Sequence, residues 1–349
     1  VRPHKSDRLL SRWPLIVAGA VVLTLTLLVG GAFSVRAMIH RYDAAVHRGQ
    51  LLDATARQAD PNTPDPMAKL RQSTIKGPLN YLLVGSDRRA TDPDAGQRSD
   101  TIIIAQVDRD LRHVYLVSIP RDLYVDIPAY KNFEGGSDKI NAAYDYGGGG
   151  PRGVQLLSAT LTKLTGVKFD GAAIIEFSGF RKVIDLLGGV NLCVDHDVTS
   201  IHTGKHFTVG CRMMNGTDAL DYSRQRYNLP DGDYDRQRHQ QQLLKAIFKR
   251  AGDGGVAYNP LKLDALIRAV GDTLTVDTGG ASLPDLLLGL RHLGPDSLTG
   301  VRLPSHPEDV DDISYVFLDD ESAGLFAAMR SATLSTWATA HGDWINPLG

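Results

Sequence analysis

Two separated stretches of the chain carry arginines and aspartates in a pattern suited to gripping an oxyanion. The first reads Gly85-Ser86-Asp87-Arg88, then Arg98-Ser99-Asp100, then Pro120-Arg121-Asp122. The second reads Ser223-Arg224-Gln225-Arg226 and Asp235-Arg236-Gln237-Arg238. From Asp87 to Asp122, and again from Tyr222 to Arg238, every long cation is arginine and none is lysine. A guanidinium grips phosphate with two parallel donors, whereas an ammonium acts as a point charge. Aspartates beside such arginines supply the oxygen ligands of Mg²⁺, which also shares phosphate oxygens. The pattern points to a phosphate or pyrophosphate site with a divalent metal. Taken singly, each pair reads as a solvated surface ion pair contributing ~0–1 kcal/mol. Placement separates the two readings. Arg98-Ser99-Asp100 precedes the apolar run Thr101–Ala105, and Pro120-Arg121-Asp122 follows the run Val114–Ile119, so both clusters fall at the mouths of buried strands.

The elements that must position them can be read in outline. Leu79–Val84, Thr101–Val107 and His113–Ser118 have strand character, with a turn at Asp108-Arg109-Asp110 between the last two. Gly147–Gly150 fits neither a GxxxxGK[ST] nor a GxGxxG frame, and reads as a loop before a helix over Gly153–Leu164. In that helix Leu156, Leu157, Leu161 and Leu164 have helical spacing and read as core. A strand at Ala172–Glu176, a helix at Phe177–Leu187 and a strand at Val190–Val194 follow. Residues 216–251 read as mainly helical, placing Arg236 and Gln240 one turn apart on one face. The remainder to 345 alternates helix and strand. This alternation predicts a mixed α/β domain, α-β-α layers around a central sheet, over residues 77–345. Pro61-Asn-Thr-Pro64-Asp-Pro66 marks residues 36–76 as a stalk and linker.

The segment Trp13–Val35 contains no charged residue. At ~1.5 Å per helical residue it spans about 34 Å, enough for a bilayer core. Arg2, Lys5, Arg8 and Arg12 precede it and favour a cytoplasmic tail over residues 1–12. The expectation is a single N-terminal transmembrane helix with the domain outside the cytoplasm. A signal peptide cleaved near Ala32-Phe33-Ser34 is the second reading. In an exported domain Cys193 and Cys211 read as a disulfide. His196, His202 and His206 lie between them, but the spacing fits no zinc pattern well. The net charge is −2, so no general affinity for nucleic acid is implied, and a tail of a dozen residues is too short for a DNA-binding module.

Taken together these motifs resemble the LytR–CpsA–Psr family of cell-wall glycopolymer–peptidoglycan ligases. The likeness is carried by Asn80–Arg88, Arg98-Ser-Asp100-Thr, Ser118-Ile-Pro-Arg121-Asp122 and Lys139-Ile-Asn141-Ala-Ala-Tyr144. It continues in Leu187-Gly-Gly-Val190, Ala219-Leu-Asp-Tyr222-Ser-Arg224-Gln-Arg226 and Asp235-Arg236-Gln-Arg238-His-Gln240. The cysteine pair and short tail look like an actinobacterial member. The resemblance implies transfer of a glycopolymer from a polyprenyl-pyrophosphate lipid onto peptidoglycan through a phosphodiester bond, at the cell membrane. It implies that Asp87 and Asp100 hold Mg²⁺, with Mn²⁺ as a substitute. Arg98, Arg121, Arg224, Arg226 and Arg236 would clamp the pyrophosphate, supported by Gln240, while Arg88, Arg238 and Asn141 transfer less firmly. Asp122, or a metal-bound aspartate, is the candidate base. A serine nucleophile is not indicated, since Val84-Gly85-Ser86-Asp87-Arg88 is not a GxSxG elbow. A pyrophosphate-lipid hydrolase and a non-catalytic lipid-glycan sensor stay open beside the ligase. The polymer itself is not legible.

Overall fold

The run Thr101–Ala105 is buried on both faces, and the rest of the fold is arranged around it. The computed structural model describes residues 47–58, 75–86, 99–255, 271–281 and 289–349, with scattered single positions between 259 and 286. The apolar segment 13–35, its flanks, and Asp87, Arg88 and Arg98 lie outside the described residues. Among the described residues no helix is long and apolar enough to cross a membrane.

Along the chain the first strands are His47–Arg48 (β1), Leu79–Ser86 (β2), Ser99–Val107 (β3), Val114–Ser118 (β4), Tyr124–Ile127 (β5) and Gly136–Lys139 (β6). Two helices follow, Ile140–Tyr146 (α1) and Gly150–Thr165 (α2), then Gly171–Glu176 (β7) and Phe177–Leu186 (α3). Next come Val190–Val194 (β8), Val198–Thr199 (β9), His206–Phe207 (β10) and Gly210–Met214 (β11). Helices Gly216–Tyr222 (α4) and Asp233–Asp253 (α5) precede Leu274–Asp277 (β12), Leu298–Arg302 (β13), Ser305–Val310 (β14) and Ile313–Leu318 (β15). The chain closes with Glu321–Ser331 (α6), Leu334–Ala340 (α7) and Ile345–Asn346 (β16).

The central sheet runs β1-β12-β7-β2-β3-β4-β13-β16. β2 pairs parallel with β7 and β4 parallel with β13, while β3 lies antiparallel between β2 and β4. The carboxyl ends of β2, β4, β7 and β13 and the start of β3 therefore share one edge. Alternation along β3 sends Ile102 and Ile104 into the larger core, with Leu156, Leu157 and Leu161 of α2 and Leu325 of α6. Each such side chain contributes roughly 1.5–3 kcal/mol on burial. Ile103 and Ala105 face the other way, toward Leu244 of α5. A third cluster joins Ile184 of α3, the β8–β11 hairpin, Tyr222 and Leu243. Cys193 and Cys211 form a disulfide across that hairpin. The expected α-β-α layering is observed.

Two local features explain the order of α1 and α2. The glycines between them include positive φ at Gly148, Gly149 and Gly150, and the Gly150 N–H donates to the Tyr144 hydroxyl at 2.9 Å. A Cβ on Gly153 would lie 2.4 Å from the Tyr144 carbonyl oxygen, so only glycine lets the two helices approach this closely.

The domain begins earlier than the sequence indicates. Residues 47–58, assigned above to the stalk, are part of the folded unit: β1 pairs with β12, and Leu51, Leu52 and Ala56 are buried in the main core. Asp277 fastens this segment, accepting from the Leu51 N–H at 3.0 Å and ion-pairing with Arg57 at 2.6 Å. Its partner sequence lies more than 200 residues away, which is why a local pattern could not reveal it.

Gln241 ties α5 to the sheet. Its fully buried amide donates to the Leu116 carbonyl and the Ser118 hydroxyl, both at 2.8 Å, and accepts from Asn346 at 2.8 Å. Gln241→Leu would strand these buried groups at about 1–3 kcal/mol each where no other partner reaches them. The expected outcome is a loss of about 3 kcal/mol in denaturant-unfolding stability.

Candidate functional site

The arginine pole stands at the shared sheet edge. Arg121 leaves the end of β4 through Ile119-Pro120 in a turn closed by the Leu123 N–H on the Pro120 carbonyl, 3.1 Å. The first N–H groups of α1 then hold the turn: Asn141 donates to the Arg121 carbonyl at 3.1 Å and Ile140 to the Leu123 carbonyl at 2.8 Å. From the other side the Val316 N–H of β15 donates to the Asp122 carbonyl at 2.9 Å. The loop carrying Arg121 and Asp122 is thus clamped through its backbone, leaving the side chains to do chemistry.

Arg121 meets three carboxylates from three segments. Its Nη1 donates to Asp100 Oδ1 at 2.6 Å. Its Nε lies 3.5 Å from Asp122 Oδ2 and 4.0 Å from Asp233 Oδ1. Arg236 Nη2 reaches the same Asp233 Oδ1 at 2.8 Å. Asp233 therefore sits between two guanidiniums delivered by sequence-distant elements. Arg236 is only 5% exposed at its side chain. Burial is the largest influence on it and pulls its pKa down, and the charges of Arg121 and Arg226 act in the same direction against Asp233 and Asp100. For Arg121 burial is opposed by Asp100, Asp233 and Asp122, and the net shift is upward. Both guanidiniums stay protonated at any working pH. The Nε atoms of Arg121 and Arg236 are buried without a hydrogen-bond partner among the described residues. Two adjacent guanidiniums of this kind form a cationic pole suited to an anion.

Arg224 and Arg226 project from the turn after α4. Gln225, between them, is buried and donates to the Asp221 carboxylate at 3.0 Å and the Ser200 hydroxyl at 3.1 Å. Fixing Gln225 inward turns its two neighbours outward. Arg224 lies over the Phe177 ring at 4.8 Å, and Arg226 donates to the Tyr227 hydroxyl at 2.7 Å. Asp122 has cations on both oxygens, Lys139 Nζ at 3.2 Å and Arg121 Nε at 3.5 Å.

Beside the pole lies an apolar cavity of about 200 Å³. Its floor is one face of the sheet, with Leu83 and Gly85 of β2, Thr101 and Ile103 of β3 and Ala173 and Ile175 of β7. Phe177 and Phe180 of α3 and Leu243 and Leu244 of α5 form the walls, and Ser223, Arg224 and Gln240 add polar groups to the lining. The small residues Gly85, Thr101 and Ala173 on adjacent strands leave the space open. Gln240 is one turn from Arg236 on α5, so the cavity adjoins the pole directly.

Comparison with known proteins places this geometry. The model of the LytR_cpsA_psr family matches residues 46–329. The chain belongs to that family. It is 27% identical over 322 residues to the polyisoprenyl-teichoic acid–peptidoglycan teichoic acid transferase TagU of Oceanobacillus iheyensis, covering 92% of this chain and 93% of that protein. It is 29% identical over 250 residues to the TagU of Enterococcus faecalis, covering 70% and 76% of the two chains. The crystal structure of B. subtilis TagU superposes with a TM-score of 0.55 at 25% identity, covering 74% of this chain and 97% of that one.

Within this LytR_cpsA_psr domain, Asp100, Asp122, Arg121, Arg226 and Arg236 come together, with Arg224 and Gln240 at the cavity. Asn141 contributes its backbone to the loop. Asp87, Arg88 and Arg98 lie outside the described residues. Arg238 does not face the pole: it ion-pairs with Asp195 and, at 2.8 Å, with Asp235, on the opposite side of α5. Two residues along a helix are about 200° apart, so Arg236 and Arg238 cannot serve one ligand together. Asp233 and Lys139 were not singled out from sequence. The i,i+3 spacing of Asp233 and Arg236 in the first turn of α5 was the available signal.

The donor set suits a hard cation. Asp100 brings carboxylate oxygens to the pole, and its side chain keeps 21% exposure. Among the described residues no group of three or more His, Cys, Asp or Glu could hold a metal alone. Mg²⁺ is typically held by one or two carboxylates with phosphate oxygens and water, so Asp100 fits that role.

Asp195 anchors α5 from behind. It takes Arg238, His239 Nε2 at 3.0 Å and the Tyr222 hydroxyl at 3.2 Å. Burial alone would raise the Asp195 carboxyl, but the bond and charge from His239, followed by Arg238, hold it well below the usual range. A depressed folded-state pKa contributes stability that is present above the unfolded value, about pH 4, and is lost as pH falls below it. Asp195→Asn should therefore lower the melting temperature at pH 7, and the gap to wild type should narrow progressively below about pH 4.

Proposed function

We propose that this chain is a phosphotransferase that moves a glycopolymer from a polyprenyl-pyrophosphate carrier onto peptidoglycan. The observation that carries this reading is that Arg224 and Gln240 line an apolar cavity, while Gln240 stands one helical turn from Arg236 of the arginine–aspartate cluster. A pyrophosphate lipid has that same division into isoprenoid tail and doubly charged head. The relatives' names describe transfer of teichoic acid from a polyisoprenyl carrier to peptidoglycan, which supports the same class of reaction here.

In this reaction an acceptor sugar hydroxyl attacks the phosphorus bearing the glycan. The new O–P bond forms as the bridging P–O bond of the pyrophosphate breaks, and polyprenyl phosphate leaves with the electron pair. The hydroxyl proton passes to a carboxylate, for which Asp122 is the nearest candidate at the loop. Arg121 and Arg236 face the equatorial and leaving oxygens and offset their growing charge, while Arg224 and Arg226 orient the head group. Positioning and charge neutralisation of this kind need no protein nucleophile. Asp100, with Asp87, would hold Mg²⁺, which when bound adds Lewis-acid stabilisation of phosphate oxygens. Leu83, Ile103, Phe177 and Phe180 would exclude water from the tail.

The uncharged segment 13–35 supports anchoring in a membrane, and the Cys193–Cys211 disulfide supports a domain exposed outside the reducing cytoplasm.

The test uses the full chain in detergent with a prenyl-pyrophosphate-linked glycan and peptidoglycan oligomers, followed by mass spectrometry. Covalent transfer is expected, reduced at least ~10³-fold by Arg121→Ala and abolished by chelation of divalent ions. Lipid phosphate released without transfer would point instead to a hydrolase. Metal-dependent lipid binding with no turnover would point to a sensor. Separately, Ala173→Trp, which fills the cavity floor, should raise KM for long-tailed donors several-fold more than for donors with a short prenyl chain.

A further inference from the structure

On the side of the Arg121–Asp122 loop where β15 docks, the surface changes character. The β14–β15 hairpin pairs from Ser305–Leu318 to Val310–Ile313, and Leu123 bridges to Val316, fixing the hairpin against the catalytic loop. Alternation buries Val316 and turns Tyr315 and Phe317 to the opposite face. There they meet Tyr124, itself 41% exposed, with ring centroids 5.1 and 5.6 Å away. The Lys139 ammonium lies 5.4 Å from the Tyr315 centroid and 3.2 Å from Asp122, so the aromatic strip is continuous with the loop that carries the candidate base.

The charge of this surface is unlike that of the pole. From Leu303 to Glu321 the chain carries Glu308, Asp309, Asp311, Asp312, Asp319, Asp320 and Glu321, with no lysine or arginine. The strip is partly open, Tyr124 exposed and Tyr315 and Phe317 half-buried, and offers a ring surface to a ligand, while an acidic rim opposes anionic ligands such as a phosphate-bearing polymer or an acidic lipid surface. A pyranose ring, by contrast, offers an apolar C–H face to an aromatic side chain without bringing charge.

Building on the phosphotransferase reading, we infer that the Tyr124–Tyr315–Phe317 strip is the acceptor-glycan subsite and takes an unphosphorylated chain of pyranose sugars. It would seat the acceptor so that its hydroxyl enters past Lys139 toward Asp122, on a surface separate from the lipid cavity. The acidic rim would keep the anionic donor polymer off this surface and so discriminate acceptor from donor.

The experiment titrates the full chain in detergent with a neutral chitotetraose and with a poly(glycerol phosphate) chain, and measures acceptor and donor KM in the transfer assay. Phe317→Leu keeps the bulk but loses the ring, whereas Phe317→Tyr keeps the ring. Expected results are a loss of about tenfold in chitotetraose affinity and a similar rise in acceptor KM for Phe317→Leu and for Tyr124→Ser. Phe317→Tyr should stay near wild type, and donor KM should be unchanged throughout. Glu308→Lys with Asp309→Lys should raise affinity for poly(glycerol phosphate) at least tenfold. Transfer that proceeds with acceptor KM and chitotetraose affinity untouched by these variants would overturn the subsite and leave the phosphotransferase standing. Absent transfer with strip-dependent chitotetraose binding would keep the subsite and sink the phosphotransferase. Equal loss of affinity for every ligand tested, with poly(glycerol phosphate) bound at the strip by the wild type, would overturn the proposed selectivity.

Discussion

The bridging of Arg121 and Arg236 by Asp233 is the contact on which the site depends. Two guanidiniums that close, one of them almost wholly buried, repel each other and lose hydration. A carboxylate between them lowers both costs, and truncating one member of such a buried group leaves charge uncompensated at several kcal/mol. Asp100 completes the row from the β3 side. The compensation is partial, because Nε of each arginine keeps no hydrogen-bond partner among the described residues. Partial compensation makes the pole stable enough to form and still receptive to an anion.

The row exists because the topology brings its members to one sheet edge. β4 runs parallel to β13 and antiparallel to β3, so the end of β4 and the start of β3 coincide there. α5 is then fixed to the same strands by Gln241 and from behind by Asp195 with Arg238 and His239. Arg238, chemically identical to Arg236, serves the scaffold because helical geometry turns it to the opposite face. Residue type nominates both arginines, and only the helix angle assigns them different work.

Much of this was legible where the signal is local. The apolar runs in β3, β4 and β8 and the leucine spacing in α2 report burial directly, since period and residue type are set by the face each side chain must occupy. Asp100 and Arg121 were legible because each adjoins the end of such a run. Residues 47–58 were not, because two leucines among polar neighbours gain their place from Asp277 on a strand far along the chain. The cavity was not, because it is made of missing volume at Gly85, Thr101 and Ala173, and small residues carry no pattern of their own. Asp233 acquires its meaning from Arg121, a neighbour only in space.

The surroundings of the pole divide its ligands by solvation. On one side Phe177, Phe180 and Leu244 face a cavity in which a charged group would be strongly desolvated. On the other, the hairpin around Glu308 and Asp309 is hydrated and acidic. A molecule with one apolar and one anionic end has a single orientation that satisfies the first boundary: tail in the cavity, charge on the arginines. The orientation is imposed by the cost of the alternatives, which needs no specific contact along the tail. Buried arginines that are incompletely paired lower the stability of the empty fold, and that same incompleteness spares reorganisation when charge develops on a bound phosphate. The fold tolerates the cost because the large core beneath the sheet, and the backbone clamps on the Arg121 loop, do not depend on the pole being filled.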